Sequence, residues 1–397
     1  MADATTQTKI TLDLPTASGL GSLPSSGHLV QAPGAHDVFK LQLTNADGIE
    51  ALFAGAPAVV RWTSPVGDGA FHGYVHRADP VYQRDRRTAS LLLVGASYPL
   101  MQPGSLAWTG VRASDVVRDV AFRFGMACDV EGHPLVYPQI VQAGRSYWQL
   151  LRELAEEIGY VLRMEGATLV FRSRASLLAH FRPLAPEVPV STFAPKLGAF
   201  NPELGATSAS RAATGVDPYQ GAVVADRGLA DQMRAGLDPI YDQLLTGDVV
   251  HSQVDATTAV ESAQEANRFT ALANIVGAGN PLLVPERVIW PSPAPGDLTG
   301  HWVVRAVEHD FEVGGRYTTR AEIGVDGRGA ALLQPGEPAA SPTSPGQTIV
   351  DPHRPGALGG WPYPEPVLRS WTPVVGRPGR AGVNYAWIAP STESRTS

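Results

Sequence analysis

Cysteine is nearly missing from this chain of 397 residues, with Cys128 standing alone. A single thiol excludes an intrachain disulfide framework, and zinc sites built on Cys pairs go with it. Its neighbours alternate apolar and polar, so a buried structural thiol is expected rather than a nucleophile. Long hydrophobic runs are missing too. No apolar stretch approaches the roughly 18 to 20 residues of a membrane-spanning helix, and the start, MADATTQTK, lacks the apolar centre of a secretory signal. The expectation is a protein made in a cytoplasm, without stable membrane insertion, that leaves, if it leaves, by assembly or lysis. Positive charge is also scarce: 31 basic against 38 acidic residues give a formal net charge of −7. Phosphate-neutralising affinity comes mainly from Lys and Arg, so no specific nucleic-acid binding is expected.

Catalytic motifs are equally scarce. None of the ten histidines stands in an HExxH pattern. His72 and His76 have an even separation compatible with a metal, though no metal is the far commoner reading. Gly277 and Gly279 follow a predicted helix and read as its stop, the wrong order for a phosphate-cradling loop. No G-x-S-x-G elbow occurs. Glu156 and Glu157 are consecutive on a helix, point in different directions, and read as a solvated face. His309 and Asp310 are neighbours in a strand and project to opposite faces, so they cannot form a dyad. No catalytic, cofactor-binding or metal-ligating residue is assigned, no cofactor is expected, and the chain is not read as an enzyme.

What is present is turn-forming residues, 41 Gly and 34 Pro, which favour short strands over long helices. The most legible stretch is Ser146 to Arg172. Ser146 and Gln149 fit a capping box, worth roughly 1 kcal/mol. Trp148, Leu151, Leu154, Ala155 and Ile158 line one helical face, and Gly159 supplies the left-handed stop. Alternation from Tyr160 and again from Ala167, about a turn at Glu165-Gly166, then predicts a hairpin. Val120-Ala121, Phe124-Gly125 and Glu131-Gly132 repeat as Leu154-Ala155, Ile158-Gly159 and Glu165-Gly166, with Ser114 as N-cap and Asp115 as first-turn acid of the first copy. These are two halves of one small α/β module.

The fold class is mainly β with that module: two related β-barrel domains flanking a helix-hairpin module, with extended N- and C-terminal arms. The expected divisions are 1–35, N-terminal arm; 36–104, first barrel; 105–180, α/β module; 181–332, second barrel with a helical insertion; and 333–397, a Pro-rich arm. Strands are predicted at Ile10 to Leu14, Val38 to Leu43, Ala58 to Thr63, Phe71 to Ala78 and Thr88 to Val94. Later strands are predicted at Val188 to Phe193, Pro285 to Trp290, Trp302 to Val313 and Arg316 to Val325, with turns at Pro295-Gly296 and Gly314-Gly315. Asp255 to Val276 is predicted as a helix with a slim face of Ala259, Ala263, Ala266, Phe269, Thr270 and Ala273. Gly205 to Gln220 reads as a polar loop, and Leu229 to Leu245 as short helices broken at Pro239. Gly73 to Ala78 faintly echoes His301 to Ala306. The last segment carries Trp361, Tyr363, Trp371, Tyr385 and Trp387, large rings that anchor interfaces well, so these form the predicted assembly interface.

The succession of the strand near Gly73, the helices from Ser114 and Ser146, and the hairpin carrying Gly300, Trp302, Val304, Val307, His309 and Phe311, then Gly314-Gly315, Tyr317 and Thr319, resembles the late control D family. These are tail and baseplate hub proteins of bacteriophages, similar to the hub half of type VI secretion spike proteins. The resemblance spans roughly residues 36 to 330 and transfers no catalytic residue. It implies a homotrimeric symmetry adaptor at the tail tip of a virion, between a sixfold tail tube or distal tail protein and a threefold spike or fibre protein. DNA would pass only through its lumen. The alternatives are a cell-wall-degrading tail enzyme with acids from residues 201–250, the hub of a phage-like contractile injection system, or a carbohydrate-binding β protein.

Overall fold

The computed structural model describes residues 9–15, 23–46, 48–84, 86–196, 210–216, 223–228, 242–244, 252–266, 268–294 and 300–326. The chain divides into two units, Met1–Gly346 and Gln347–Ser397, and every described residue belongs to the first. In chain order come β1 (Lys9–Asp13), β2 (Leu23–Gln31), β3 (Val38–Thr44), β4 (Pro57–Ser64), β5 (Gly67–Gln83) and β6 (Arg86–Gly95). A central module holds β7 (Ala107–Arg112), α1 (Ala113–Arg123), β8 (Ala127–Val130), β9 (Val136–Val141), α2 (Tyr147–Glu157), β10 (Tyr160–Glu165), β11 (Thr168–Ser173) and α3 (Arg174–Phe181). Then follow β12 (Glu187–Pro189), β13 (Thr192–Lys196), β14 (Ser210–Val216), β15 (Val223–Gly228), β16 (Asp242–Leu244), α4 (Gln253–Ala266), β17 (Phe269–Ala278), β18 (Val288–Ser292), β19 (Trp302–Glu312) and β20 (Tyr317–Asp326).

The fold is mainly β, and its central fact is duplication. In the first lobe the strands lie in the order β4-β5-β6-β3-β2; in the second they lie β18-β19-β20-β17-β13, every neighbouring pair antiparallel. Numbered within each lobe, the two orders are the same. The match extends to single hydrogen bonds. Gly55 N–H donates to Val75 O (2.7 Å) and Val75 N–H to Ala56 O (2.8 Å); in the second lobe Glu286 N–H donates to Val304 O (2.7 Å) and Val304 N–H to Arg287 O (2.9 Å). Both lobes break register just after that point, between Val75 and Arg77 in β5 and between Val304 and Ala306 in β19. A bulge adds one residue and sharpens local twist, which helps a sheet curl around a core. The echo of Gly73 to Ala78 in His301 to Ala306 marks this bulge, one residue out of step with the structural equivalence of Val75 and Val304.

Alternation explains the strands. Phe39, Leu41 and Leu43 of β3 are buried while Lys40, Gln42 and Thr44 are exposed. The first core gathers these with Ile10, Trp62, Phe71, Leu91 and Leu93, and Phe39 meets Phe71 edge to face at 5.4 Å. The second core gathers Ile275, Ile289, Trp302, Val304 and Ile323. Antiparallel pairing of β2 with β19, from Gln31↔Val307 to Ser26↔Glu312, joins the lobes into one 12-stranded sheet. Phe311 and Tyr317 belong to the first core although their hairpin starts in the second.

The module behaves as a repeat. Both copies send a helix and then a strand to β11, β8 pairing parallel on one side and β10 antiparallel on the other. The α1 and α2 faces cover Leu162, Leu169 and Phe171. The opposite face of the hairpin, Val161 and Val170, is covered by Leu177, Leu178 and Phe181 of α3 with Val288 and Val303 of the second lobe.

Several expectations change. The described part of the expected 1–35 arm is not free: β1 and β2 are built into the sheet, because their apolar residues Ile10 and Leu29 complete the first core. Ser114 is buried and Arg112 holds the N-cap position of α1, where the Asp115 carboxylate accepts from Arg112 N–H at 3.2 Å. Ser146 does cap α2, accepting from Gln149 N–H at 3.1 Å, but the Gln149 amide donates to Glu153 instead of closing the box. The helix expected to Val276 stops at Ala266; Phe269 onward is β17, since two strand partners outweigh a slim helical periodicity. Gly277 and Gly279 are therefore not a helix stop. A Cβ at Gly279 would lie 1.9 Å from the Tyr317 ring, so that site needs glycine for close packing. Residues 210–216, expected as loop, form β14 through pairing with β15, and Asp242–Leu244 is strand rather than helix. The turn at Gly314-Gly315 is present, with Gly314 at φ 72° and Gly315 N–H donating to Glu312 O at 3.0 Å. Pro295-Gly296 lies outside the described residues.

Candidate assembly surfaces

The seam between the lobes presents two different faces. Outside, His28 of β2 pairs through Nδ1 with Asp310 of β19 at 2.7 Å, and Arg320 of β20 donates to the same carboxylate at 2.7 Å. Inside, His309 is buried: Nε2 lies 3.2 Å from Leu283 O, and Nδ1 lies 3.0 Å from the Tyr317 hydroxyl and 3.1 Å from Thr319 Oγ1. Donation from Nε2–H to the carbonyl leaves Nδ1 as acceptor, the neutral tautomer. Burial pushes its pKa down to about 4, although the Leu283 carbonyl and Asp310 oppose that shift. His309 and Asp310 thus face opposite ways, as adjacent strand residues must.

The module is held on the two lobes by different chemistry. Toward the first, the loop after β2 is fastened by main chain and rings. Gly34 N–H donates to Leu162 O (2.8 Å), Trp148 Nε1–H donates to Gly34 O (3.1 Å), and His36 lies 4.9 Å from the Trp148 ring. Toward the second lobe the contacts are ionic and buried. Arg163 donates to Pro285 O (2.6 Å) and to Glu165 (2.6 Å), and Glu165 also binds Arg287. Arg174 forks onto Glu286 (2.8 and 3.0 Å) and reaches Glu265 (2.6 Å), which takes Arg268 at 2.8 Å. Burial works against the charge on Arg174, but Glu286 and Glu265 outweigh it and raise its pKa. Sequence reading missed this network. Its one legible signal was Arg163, a charge between apolar residues in a strand walled on both faces.

Among the described residues, two histidines sit in settings that imitate catalytic sites. His36 Nδ1 lies 2.7 Å from Ser97 Oγ, yet Ser97 is shut off from solvent, so its hydroxyl cannot meet a substrate. Burial holds His72 at about 4, and among the described residues no group of three or more His, Cys, Asp or Glu could hold a metal ion. Cys128, expected to be buried, is exposed because β8 is the edge strand of its sheet; partial burial still raises its pKa, which disfavours the thiolate. The acids of residues 201–250 have no described side chains, and Trp361, Tyr363, Trp371, Tyr385 and Trp387 lie outside the described residues.

Two of the open strand edges among the described residues lie one in each lobe. β13 is bonded only to β17. β5 is paired with β4 only as far as Tyr74, so beyond its bulge it has a strand on the β6 side alone. There Val81 is 50% and Tyr82 56% exposed. Each edge carries one proline, Pro195 and Pro80, and exposed charges, the usual protection against unwanted strand addition.

No protein-family model matches the sequence, and no curated protein matches it. Solved structures do resemble it. The 43 kDa tail protein of prophage MuSo2 from Shewanella oneidensis superposes with a TM-score of 0.56 at 14% identity, covering 80% of this chain and 98% of that one. A tail protein from Neisseria meningitidis gives 0.56 at 11%, covering 81% and 97%. A component of the E. coli type VI secretion system, described as similar to the T4 tail proteins gp27 and gp5, gives 0.52 at 12%, covering 82% and 81%. At these identities the fold is what is shared: the β-rich architecture of tail proteins.

Proposed function

We propose that this chain is a structural component of a phage tail or baseplate, and that three copies form an adaptor between a sixfold tail tube and a threefold spike or fibre. The observation that carries the reading is the duplicated lobe. Two lobes of identical strand order, joined edge to edge, give six similar units when three chains assemble, so one face can match a sixfold ring while the assembly keeps threefold symmetry. Solved tail proteins of the same fold support that setting, and the E. coli secretion component makes a phage-like injection machine the second setting for the same geometry.

In this reading the spike and the tube protein are separate chains, the aromatics Trp361, Tyr363, Trp371, Tyr385 and Trp387 fasten the C-terminal arm to a neighbour, and the chain breaks no bonds. Interfaces on the order of 2,000 to 5,000 Å² would be needed for a permanent assembly. Native mass spectrometry and electron microscopy of the purified protein should give trimers with a ring of six lobes. A monomer at all concentrations would overturn the adaptor. Zymography on cell walls tests the enzymatic alternative, which requires a lytic band that one acidic substitution abolishes.

A further inference from the structure

Residues 279–287 form a strap that joins β17 to β18, and its two halves are held by different groups. The far half is pinned to the module: Arg163 donates to Pro285 O at 2.6 Å, and Arg174 forks onto Glu286 at 2.8 and 3.0 Å. The near half lies at the seam between the lobes. There Gly279 N–H donates to Tyr317 O (2.8 Å), Asn280 N–H donates to Thr319 Oγ1 (2.9 Å), and Leu283 O lies 3.2 Å from His309 Nε2. Asn280, Leu283 and His309 are all buried.

The surroundings of that imidazole suit its neutral form. The Tyr317 and Thr319 hydroxyls flank Nδ1, which accepts from one of them, and the Trp62 and Phe311 rings lie 6.4 and 6.1 Å away. Asp310 and His28, the charged groups that act on it, sit on the other face and bind each other, with Arg320 on the same carboxylate. A second proton would make Nδ1 a donor. A buried hydroxyl hydrogen would then lose its acceptor, and a charge would stand among apolar rings without a counter-ion.

Water can reach the ring by two routes. Unpairing β2 from β19 breaks the whole ladder from Gln31↔Val307 to Ser26↔Glu312. Lifting the near half of the strap breaks only its bonds to Tyr317 O, Thr319 and His309. We propose that residues 279–283 are an acid-released latch: a proton on His309 is hydrated by lifting this half of the strap, which hinges on the half held by Arg163 and Arg174. Leu283, packed in the second core, keeps the latch shut while the ring is neutral. The latch belongs to one lobe. Counting on from the equivalent Val75 and Val304, the exposed Pro80 stands where His309 stands.

Burial holds the closed ring at about 4, and a hydrated ring returns to about 6.5. The open form therefore takes the proton first, so opening is favoured as pH falls through that window. From about pH 7.5 to about pH 5 the opening constant should rise about 30-fold.

Hydrogen exchange of the full chain, read by mass spectrometry at both pH values and corrected for intrinsic rates, tests the latch. Protection of the amides in 279–283 should fall about 30-fold, and at the lower pH they should exchange at least about tenfold faster than the β2 amides of 29–31. In His309→Gln the fall should vanish. Strap protection that does not change with pH would overturn the latch. So would exchange of the strap and β2 at one common rate, which would mean that the whole seam opens. Both outcomes are read on the parent chain, so they hold whether or not the variant folds. A fall that persists in His309→Gln would assign the response to another group and overturn it as well.

Discussion

The two lobes meet the same backbone demand with different residues. Before each bulge the chain must pass through the left-handed region while its N–H bonds back to the long strand. The first lobe uses Gly55 at φ 90°, where glycine is at ease, and the second uses Glu286 at φ 63°. A non-glycine residue held there costs about 1 to 2 kcal/mol. What holds it is the fork from Arg174, which is also tied to Glu265 of α4. Duplication fixed the turn, and contact with the module decided which residue could occupy it. One lobe thus kept the cheap solution, and the other traded backbone ease for an ionic anchor to α3 and α4.

That contrast can be broken from either side. Glu286→Ala should have the largest effect, because it leaves Arg174 buried without its main partner; about 3 to 5 kcal/mol should be lost in urea denaturation. Glu286→Gly, which relieves the dihedral but not the lost pairing, should recover only a small part of it. On the other side of the module, Trp148→Ala removes a buried indole and its bond to Gly34, with about 3 to 5 kcal/mol lost. Raised salt should weaken the anchoring on the second lobe more than this one.

The seam between the lobes should respond to acid. His309 has a folded pKa of about 4, below the ordinary value near 6.5, so the unfolded chain takes up the proton first. Stability is then full above about pH 6.5 and falls by up to about 3 kcal/mol as pH drops toward 4. His72 is shifted the same way, so the test is the difference between the parent and His309→Gln, whose acid limb should be shallower. Gly55→Ala forces a Cβ into the left-handed turn and should lose about 1 to 2 kcal/mol, much less than Glu286→Ala at the matching site. The smallest effect is expected from removing residues 334–397, which should leave the denaturation midpoint unchanged while weakening docking to a neighbour. A shift of several degrees in Tm would show that the lobes need that segment to fold.

Much of the fold was legible because it is written in local alternation. Phe39, Leu41 and Leu43 between Lys40, Gln42 and Thr44 can be placed on a strand face without any partner in view. The repeat of Phe124-Gly125 in Ile158-Gly159 marked two helix ends, and both glycines take positive φ, 61° and 69°. Phe269 to Ala278 was read as helix because its small residues fit either period until β13 and β20 were known. The open edges went unseen because an edge is defined by a missing neighbour, and no window of sequence contains that. The ion network was equally hidden, since Arg163, Arg174, Glu265 and Glu286 are far apart in the chain.

From the sequence alone came the class of fold: strands and a helix-hairpin repeat. Each of these depends on residues within about ten positions of one another, where period and turn chemistry act directly. Tertiary structure decided that the two β regions share one strand order, that β2 joins them through β19, and that β13 and the far end of β5 each keep one edge unpaired among the described residues. These are relations between segments separated by hundreds of residues. They are set by which hydrogen-bonding edges the chain can bring together around its buried faces, and pairing between edges leaves no local periodicity to read.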